Sequence, residues 1–307
     1  MEGSSPRAIP VLLLGVVAIS CAALFVRLCD APALIIAAYR LGGALLLLLP
    51  LALARRAPLP AQRHPKSAPW ILLSGGCLGL HFLAWIAAVQ EMPVALASTL
   101  ASTHPVMVGA LSWALMGEAM NRTMAVGIAM SLLGTVLMGW VGQGRGGFSF
   151  QGAGLALAAA SCFSVYILVG RKLRRDLPLG TYLLPTYGAA AVLVWGLVWI
   201  TGLPVTGYDA HTYGMFALLA LVPTAIGHTS FNWALAHVSA TAVTVSTLGE
   251  PVAASILALV LLGETPDPLK LSAGVVILVG IFLAARSEVS GAPRQRHPAA
   301  GDQDPGG

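Results

Sequence analysis

Apolar stretches of about 20 residues recur along this chain, separated by short connections that carry Pro, Gly or charge. At about 1.5 Å rise per residue, a helix of about 20 residues bridges the roughly 30 Å hydrocarbon core of a bilayer. Ten such stretches can be placed, at about 8–28, 33–54, 70–90, 93–116, 123–141, 151–171, 181–201, 211–237, 240–263 and 269–286. Connections such as Asp30-Ala31-Pro32 and Thr265-Pro266-Asp267-Pro268 are too short to hold a separate domain. Because backbone in lipid must satisfy its own hydrogen bonds, the expected fold is an all-α membrane protein with ten transmembrane helices. Composition closes the soluble alternative. Only 9% of the 307 residues are charged and 57% are hydrophobic, whereas a soluble domain carries about 25% charge. An ordinary cytosolic enzyme, a disordered protein and a small disulfide scaffold are thereby excluded.

The net charge of +5 does not describe a nucleic-acid surface, because the basic residues sit in short clusters between the apolar runs. Such clusters set membrane orientation. With the amino terminus in the cytoplasm, 13 Lys and Arg fall on that side, including Arg7, Arg55, Arg56, Arg171 and Arg175. The opposite side holds Arg145 and Lys270, with Arg27 near the outer end of its span. A multi-pass protein of the inner or plasma membrane is expected, with both termini cytoplasmic. The first span starts just after Arg7 and is longer than a signal-peptide core, so it is expected to be retained. The stretch 287–307, rich in Pro, Gly, Arg and Asp, is expected to be a disordered cytoplasmic tail. Cys21, Cys29, Cys77 and Cys162 lie in or beside apolar runs with no CxxC and no metal spacing. They are expected to be small packing residues, with no metal and no cofactor.

The chain also repeats itself. Ala101-Ser102-Thr103-His104-Pro105, followed by Met116-Gly117-Glu118, matches Thr247-Leu248-Gly249-Glu250-Pro251, followed by Leu262-Gly263-Glu264. The Pro and the later Glu are 13 positions apart in both copies, and a Gly (Gly134, Gly280) follows 16 positions further on. Upstream, His81 to Ala87 resembles His228 to Ala234 with a one-residue change of offset. Each copy holds five spans, an odd number, so the second copy must enter the membrane from the other side. The expected domains are 1–145 and 146–286, one five-helix repeat each. Inverted repeats of this kind characterise secondary transporters, whose site lies near the midplane where the halves meet.

Ala-Ala-Tyr-Arg at 37–40, Gly-Glu-Pro at 249–251 and the paired Gly-Glu ends at 117–118 and 263–264 resemble the EamA-type branch of the drug/metabolite transporter superfamily. The resemblance covers about residues 10–285 and occurs twice. It implies ten helices in a five-plus-five inverted repeat around a central cavity, export or exchange of small metabolites such as amino acids, and no ATP hydrolysis. The first copy departs from the second in carrying His104 where the second has Glu250. The two halves of such a cavity are chemically unequal.

An ionisable group at a helix centre costs about 2.5–3.5 kcal/mol on insertion scales, so each one invites a functional reading. His81, His104 and Glu250 fall roughly 15–17 Å into their spans, His228 is at similar depth about 9 residues from the end of its helix, and Arg40 is about 7 residues in. Helical spacing sets Cys77, His81 and Trp85 on one face and Thr224, His228 and Asn232 on another. The candidate substrate-binding or coupling residues are Arg40, His81, Trp85, His104, Tyr166, His228, Asn232, Trp233 and Glu250. Pro105 and Pro251, each removing an intrahelical hydrogen bond, are candidate hinges or simple kinks. Arg40 is open to two roles, holding a substrate carboxylate or pairing with Glu250.

Three further matches carry no function. Gly142 to Gly147 fits GxGxxG without a βαβ unit, Leu73-Ser74-Gly75-Gly76 lies inside a span, and Asn121-Arg122-Thr123 is a sequon in a cytoplasmic turn. Gly75 with Gly79, and Gly127 with Ser131, mark close helix packing. The leading expectation is a carrier working by alternating access on a small-molecule substrate, with the lipid bilayer and protons as further partners, as a monomer or weak dimer. An intramembrane enzyme, or a membrane subunit or sensor that does not transport, is the alternative. No HExxH, GxSxG or paired Asp supports the enzyme.

Overall fold

The computed structural model describes residues 7–54, 65–117, 120–141, 149–262 and 268–290. Glu118, the Gly-Glu end at 263–264, the loop at 142–147 and residues 291–307 lie outside them. Every regular element among the described residues is helical, and the helices fall into ten segments. We number them α1 (Ala8–Ser20 and Ala22–Arg27), α2 (Ala33–Ala54), α3 (Ala68–Glu91), α4 (Val94–Ala101 and His104–Met116) and α5 (Arg122–Val141). The second set is α6 (Phe150–Arg174), α7 (Leu179–Thr201), α8 (Ala210–Leu219, continuing through Ala220–His228 to Thr229–Ala234), α9 (Ala240–Thr247 and Glu250–Leu262) and α10 (Pro268–Ser290). Six segments are long and apolar enough to cross a membrane, namely α1, α2, α3, α6, α7 and α8. The last helix runs on to Ser290, four residues past the end expected from hydropathy.

Local sequence sets the ends of these helices. Ser149, Asp209 and Ser239 cap α6, α8 and α9, their side-chain oxygens accepting from the amides of Gly152, Thr212 and Ala242. Each satisfies an orphan N–H of a first turn. Gly117 and Gly202 close α4 and α7 at φ 65° and 66°, a left-handed conformation that glycine adopts without a Cβ penalty. α4 and α9 are interrupted at equivalent places, Ser102-Thr103 and Leu248-Gly249, each followed two or three residues on by Pro105 or Pro251. α8 contains the π-helical stretch Ala220–His228, with Pro223 inside it and the Thr224 hydroxyl donating to the Leu219 carbonyl at 2.8 Å. A π turn takes one residue more than an α turn. The stretch ends at His228.

Helix directions follow from the close approaches. Gly127 of α5 lies against Gly280 and Ala284 of α10, and Gly134 lies against Ala273 and Ile277, so the two helices cross antiparallel. The same holds for α4 and α9, where His104 meets Thr247 and Gly109 faces Thr241. It holds again for α1 and α8, where Gly15 touches Phe231 and Gly227 touches Ile19. α4 and α9, and α5 and α10, occupy the same place in the two copies, and each of these pairs therefore runs in opposite senses. Contacts α3–α6 and α3–α7 recur as α1–α8 and α2–α8, as exchange of the two copies requires. Gly75 and Gly79 face α7, and Gly127 faces α10, so these small residues serve close packing inside the chain. Large apolar side chains such as Trp113, Val192 and Trp199 point outward, as expected of a bundle immersed in lipid.

A Cβ at Gly280 would stand 2.6 Å from the Gly127 carbonyl oxygen, whereas one at Gly76 would meet nothing within 4 Å. Gly280→Ala is therefore expected to destabilise by about 1–3 kcal/mol through overpacking, read as a lower Tm in detergent. Gly76→Ala is expected to leave stability unchanged or raise it by about 0.5–1 kcal/mol, read as an equal or slightly higher Tm.

Candidate functional site

The interruptions in α4 and α9 bring two helix starts to the centre of the bundle, and a cavity of about 60 Å³ with polar groups in a largely apolar wall opens beside them. His104 begins the second half of α4 and Glu250 the second half of α9, and both line the cavity with Arg40, His81, Trp85 and His228. Six of the nine side chains singled out in the sequence thus share one space. Its walls are completed by Phe82, Phe163, Phe231, Ile19, Ala22 and Ala101, with the hydroxyls of Ser98, Ser102 and Thr247.

Arg40 is 2% exposed. Its Nε donates to Thr224 Oγ1 at 2.7 Å and its guanidinium carbon stands 3.8 Å from the Phe82 ring centroid. A cation over an aromatic face is attracted by the ring quadrupole, more so when desolvated. Nη1 of the same guanidinium is buried and has no hydrogen-bond partner. Glu250, half-buried, accepts through its backbone carbonyl from Ser20 Oγ at 3.1 Å. No ion pair joins Arg40 to Glu250 among the described residues, so the two opposite charges face one cavity separately.

The histidines are held by defined partners. His81 Nδ1 lies 2.9 Å from the Ala159 carbonyl, which can only accept, so this nitrogen carries the proton. The His81 and His228 rings are 6.3 Å apart, with Phe82 and Phe163 packed between and around them. Nδ1 of His228 has no partner. His104 bridges the two halves: its Nδ1 donates to the Ala101 carbonyl at 2.6 Å, and its Nε2 is 2.8 Å from Thr247 Oγ1. Thr247 Oγ1 also lies 2.7 Å from the Thr244 carbonyl. That carbonyl is left over by the helix break, since the Leu248 amide bonds Val245 instead.

Three candidates stand outside the cavity wall. Tyr166 is fully buried and accepts a short hydrogen bond from Asn232 Nδ2, which also donates to the His228 carbonyl at 2.7 Å. This pair supports the backbone of His228 from behind. Trp233 is turned away and stacks on His237, ring centroids 4.0 Å apart. Pro105 and Pro251 sit one residue past His104 and Glu250, in the first turn after each break. In the chemistry of its lining, the site offers one cation with a free donor, one carboxylate, three imidazoles and a phenyl wall. Among the described residues no group of three or more His, Cys, Asp or Glu is placed to hold a metal ion.

Fold and site together describe a helical protein with several membrane-spanning segments, built from two copies whose equivalent helices run antiparallel around a shared cavity. The chain belongs to the EamA-like transporter family, whose pattern matches it twice, over residues 6–140 and 150–286. Relatives include the uncharacterized transporter YwfM of Bacillus subtilis (strain 168), 23% identical over 241 residues, covering 78% of this chain and 79% of that one. The threonine/homoserine exporter RhtA of Escherichia coli (strain K12) is 26% identical over 221 residues, 68% of this chain and 69% of RhtA. The aromatic amino acid exporter YddG of Ancylobacter novellus is 34% identical over 128 residues, 40% of this chain and 43% of YddG. A solved structure shares the fold at a TM-score of 0.76 and 22% identity, covering 92% of this chain and 98% of that one.

Removing the Thr224 hydroxyl would leave the Arg40 Nε–H buried without a partner, costing about 1–3 kcal/mol. Thr224→Val is expected to lower Tm in detergent accordingly. Thr224→Ser, which keeps the acceptor, is expected to stay close to the parent.

Proposed function

We propose that this protein is a secondary transporter, an exporter or exchanger that moves small metabolites such as amino acids across the inner or plasma membrane by alternating access. In this reading the ten helical segments are ten spans, arranged as inverted five-helix repeats over 1–145 and 146–286. Both termini, including the tail at 287–307, lie in the cytoplasm. The antiparallel α4–α9 and α5–α10 crossings support the inversion, and the excess of Lys and Arg on the terminal side supports the orientation.

The observation that carries the proposal is a buried Arg40 Nη1 without a hydrogen-bond partner facing the same phenyl-walled cavity as Glu250. An isolated buried charge is costly unless a partner completes it. A zwitterion supplies both partners at once: its carboxylate accepts from Arg40, its ammonium donates toward Glu250, and its side chain packs on Phe82, Phe163 and Phe231. His81 and His228 hydrogen-bond the solute from the α3 and α8 sides. Pro105 and Pro251 serve as pivots beside the helix breaks, where each half can tilt without losing more backbone hydrogen bonds.

Protons are the coupling ion in this reading, with His104, whose Nε2 meets Thr247 Oγ1 across the two halves, and the Glu250 carboxylate on the same cavity as the groups that would carry them.

Reconstitution in liposomes with counterflow of an amino-acid mixture, followed by mass spectrometry, tests the reading against protein-free liposomes. Saturable exchange of a few zwitterions is expected. Glu250→Gln is expected to insert normally and to lower coupled transport by about tenfold or more, the loss of one charge-assisted contact. Unchanged transport in that variant removes Glu250 from the mechanism. Chemical alteration of a solute, rather than its exchange, points to an intramembrane enzyme.

A further inference from the structure

Each copy ends its first and third helices side by side, and in each copy an arginine ties the two ends together. In the first copy Arg27, the last residue of α1, donates through Nη2 to the carbonyl of Met92, the residue that terminates α3, at 2.6 Å. Gln90 Nε2 adds a bond to the Ala31 carbonyl at 2.9 Å at the same end. In the second copy Arg171, in the last turn of α6, donates through Nη1 to the carbonyl of Leu235, which terminates α8, at 2.8 Å. Arg174, one turn on and buried, donates through Nε to the Asn232 carbonyl at 3.0 Å. All four carbonyls lie at or beyond helix C-termini or in a last turn, where backbone acceptors lack amide partners and carry the negative end of the helix dipole.

The two ties lie at opposite ends of the bundle. α1 and α8 run antiparallel, with Gly15 against Phe231 and Gly227 against Ile19. Leu235 therefore falls toward the start of α1, whereas Arg27 is its final residue. The cavity sits between the ties, lined by Ile19 and Ala22 of α1, His81 and Trp85 of α3, Phe163 of α6 and His228 and Phe231 of α8. The four helices that form the ties thus also form much of the cavity wall, and parting either pair of ends uncovers the cavity from one side. Both ties are made in this structure.

We propose that Arg27 and Arg171 are the two gate latches, released alternately: the Arg27–Met92 bond opens the cavity to the side opposite the termini, and the Arg171–Leu235 bond opens it to the terminal side. The proposal rests on the carrier reading above. With both ties made the cavity is held at both ends; breaking the tie in one copy and breaking it in the other give two open arrangements related by exchange of the copies, one for each face. These arginines touch no solute; they position the helix ends.

Hydrogen–deuterium exchange on the full chain in nanodiscs reads the latches directly. Arg27→Gln is expected to raise exchange about tenfold in peptides spanning 25–32 and 89–95 and to leave 168–177 and 232–240 unchanged, the loss of one charge-assisted bond. Arg171→Gln is expected to do the reverse, and Arg27→Lys and Arg171→Lys to restore much of the protection. A second arm places a cysteine at Ser98 in the cavity, with the four native cysteines changed to Ser, and labels it with a membrane-impermeant thiol reagent in right-side-out and inside-out vesicles. Arg27→Gln is expected to speed labelling from the side opposite the termini, and Arg171→Gln from the terminal side. Exchange that is unchanged in both variants, or labelling that rises from the same side in both, overturns the latch assignment and leaves the carrier reading standing. Ends that loosen while the cysteine stays unlabelled from either side overturn the carrier reading, and the gates fall with it.

Discussion

Hydrocarbon offers no hydrogen-bond partner to a peptide group, and nearly every feature of this protein follows from how that demand is met. Most of the backbone answers it with uninterrupted helix. The exceptions are concentrated where the copies meet, at Ser102-Thr103 and Leu248-Gly249, and in the π stretch of α8. Side chains make good the missing partners there: Thr247 reaches the Thr244 carbonyl, His104 reaches Ala101, and Thr224 reaches Leu219. Irregular backbone is tolerable at membrane depth only where it lines a cavity or is buried in protein, so the cavity and the breaks occur together.

The parts of the site visible in the sequence are those that contrast with their surroundings. Arg40, His81, His104, His228 and Glu250 stand out because ionisable side chains are expensive in an apolar helix, and all five line the cavity. Phe82, Phe163 and Phe231 line it too, but a phenyl ring in an apolar run carries no contrast, and nothing in periodicity separates a cavity wall from a lipid-facing surface. Trp233 illustrates the opposite error. It neighbours Asn232 in sequence, yet a step of about 100° around the helix turns it to His237. Tyr166 and Asn232 belong to the site only at one remove, bonded to each other behind His228.

The repeat was legible for the same reason, since Pro105 and Pro251 with their neighbours form a pattern too long for chance. Helix lengths were less so. Hydropathy places α4 and α9 as single stretches, because Ser102-Thr103 and Leu248-Gly249 are not strong breakers by type. The breaks become visible only when the backbone shows the Leu248 amide bonding Val245 and the Thr103 amide bonding Leu100.

The inequality of the copies has a thermodynamic consequence. In the carrier reading, were the repeats identical, their two exchanged arrangements would be related by a two-fold rotation and equally populated at rest. With His104 in one copy and Glu250 in the other, and a π segment in α8 without a counterpart in α3, the exchanged arrangements differ in free energy. One of them dominates the empty protein, and binding from the disfavoured face is weakened by the fraction of molecules in that state. The solute gradient at equilibrium is untouched by this bias. In the carrier reading, what the asymmetry sets is kinetic rectification: half-saturation differs between the two faces even though the asymmetry adds no driving force of its own.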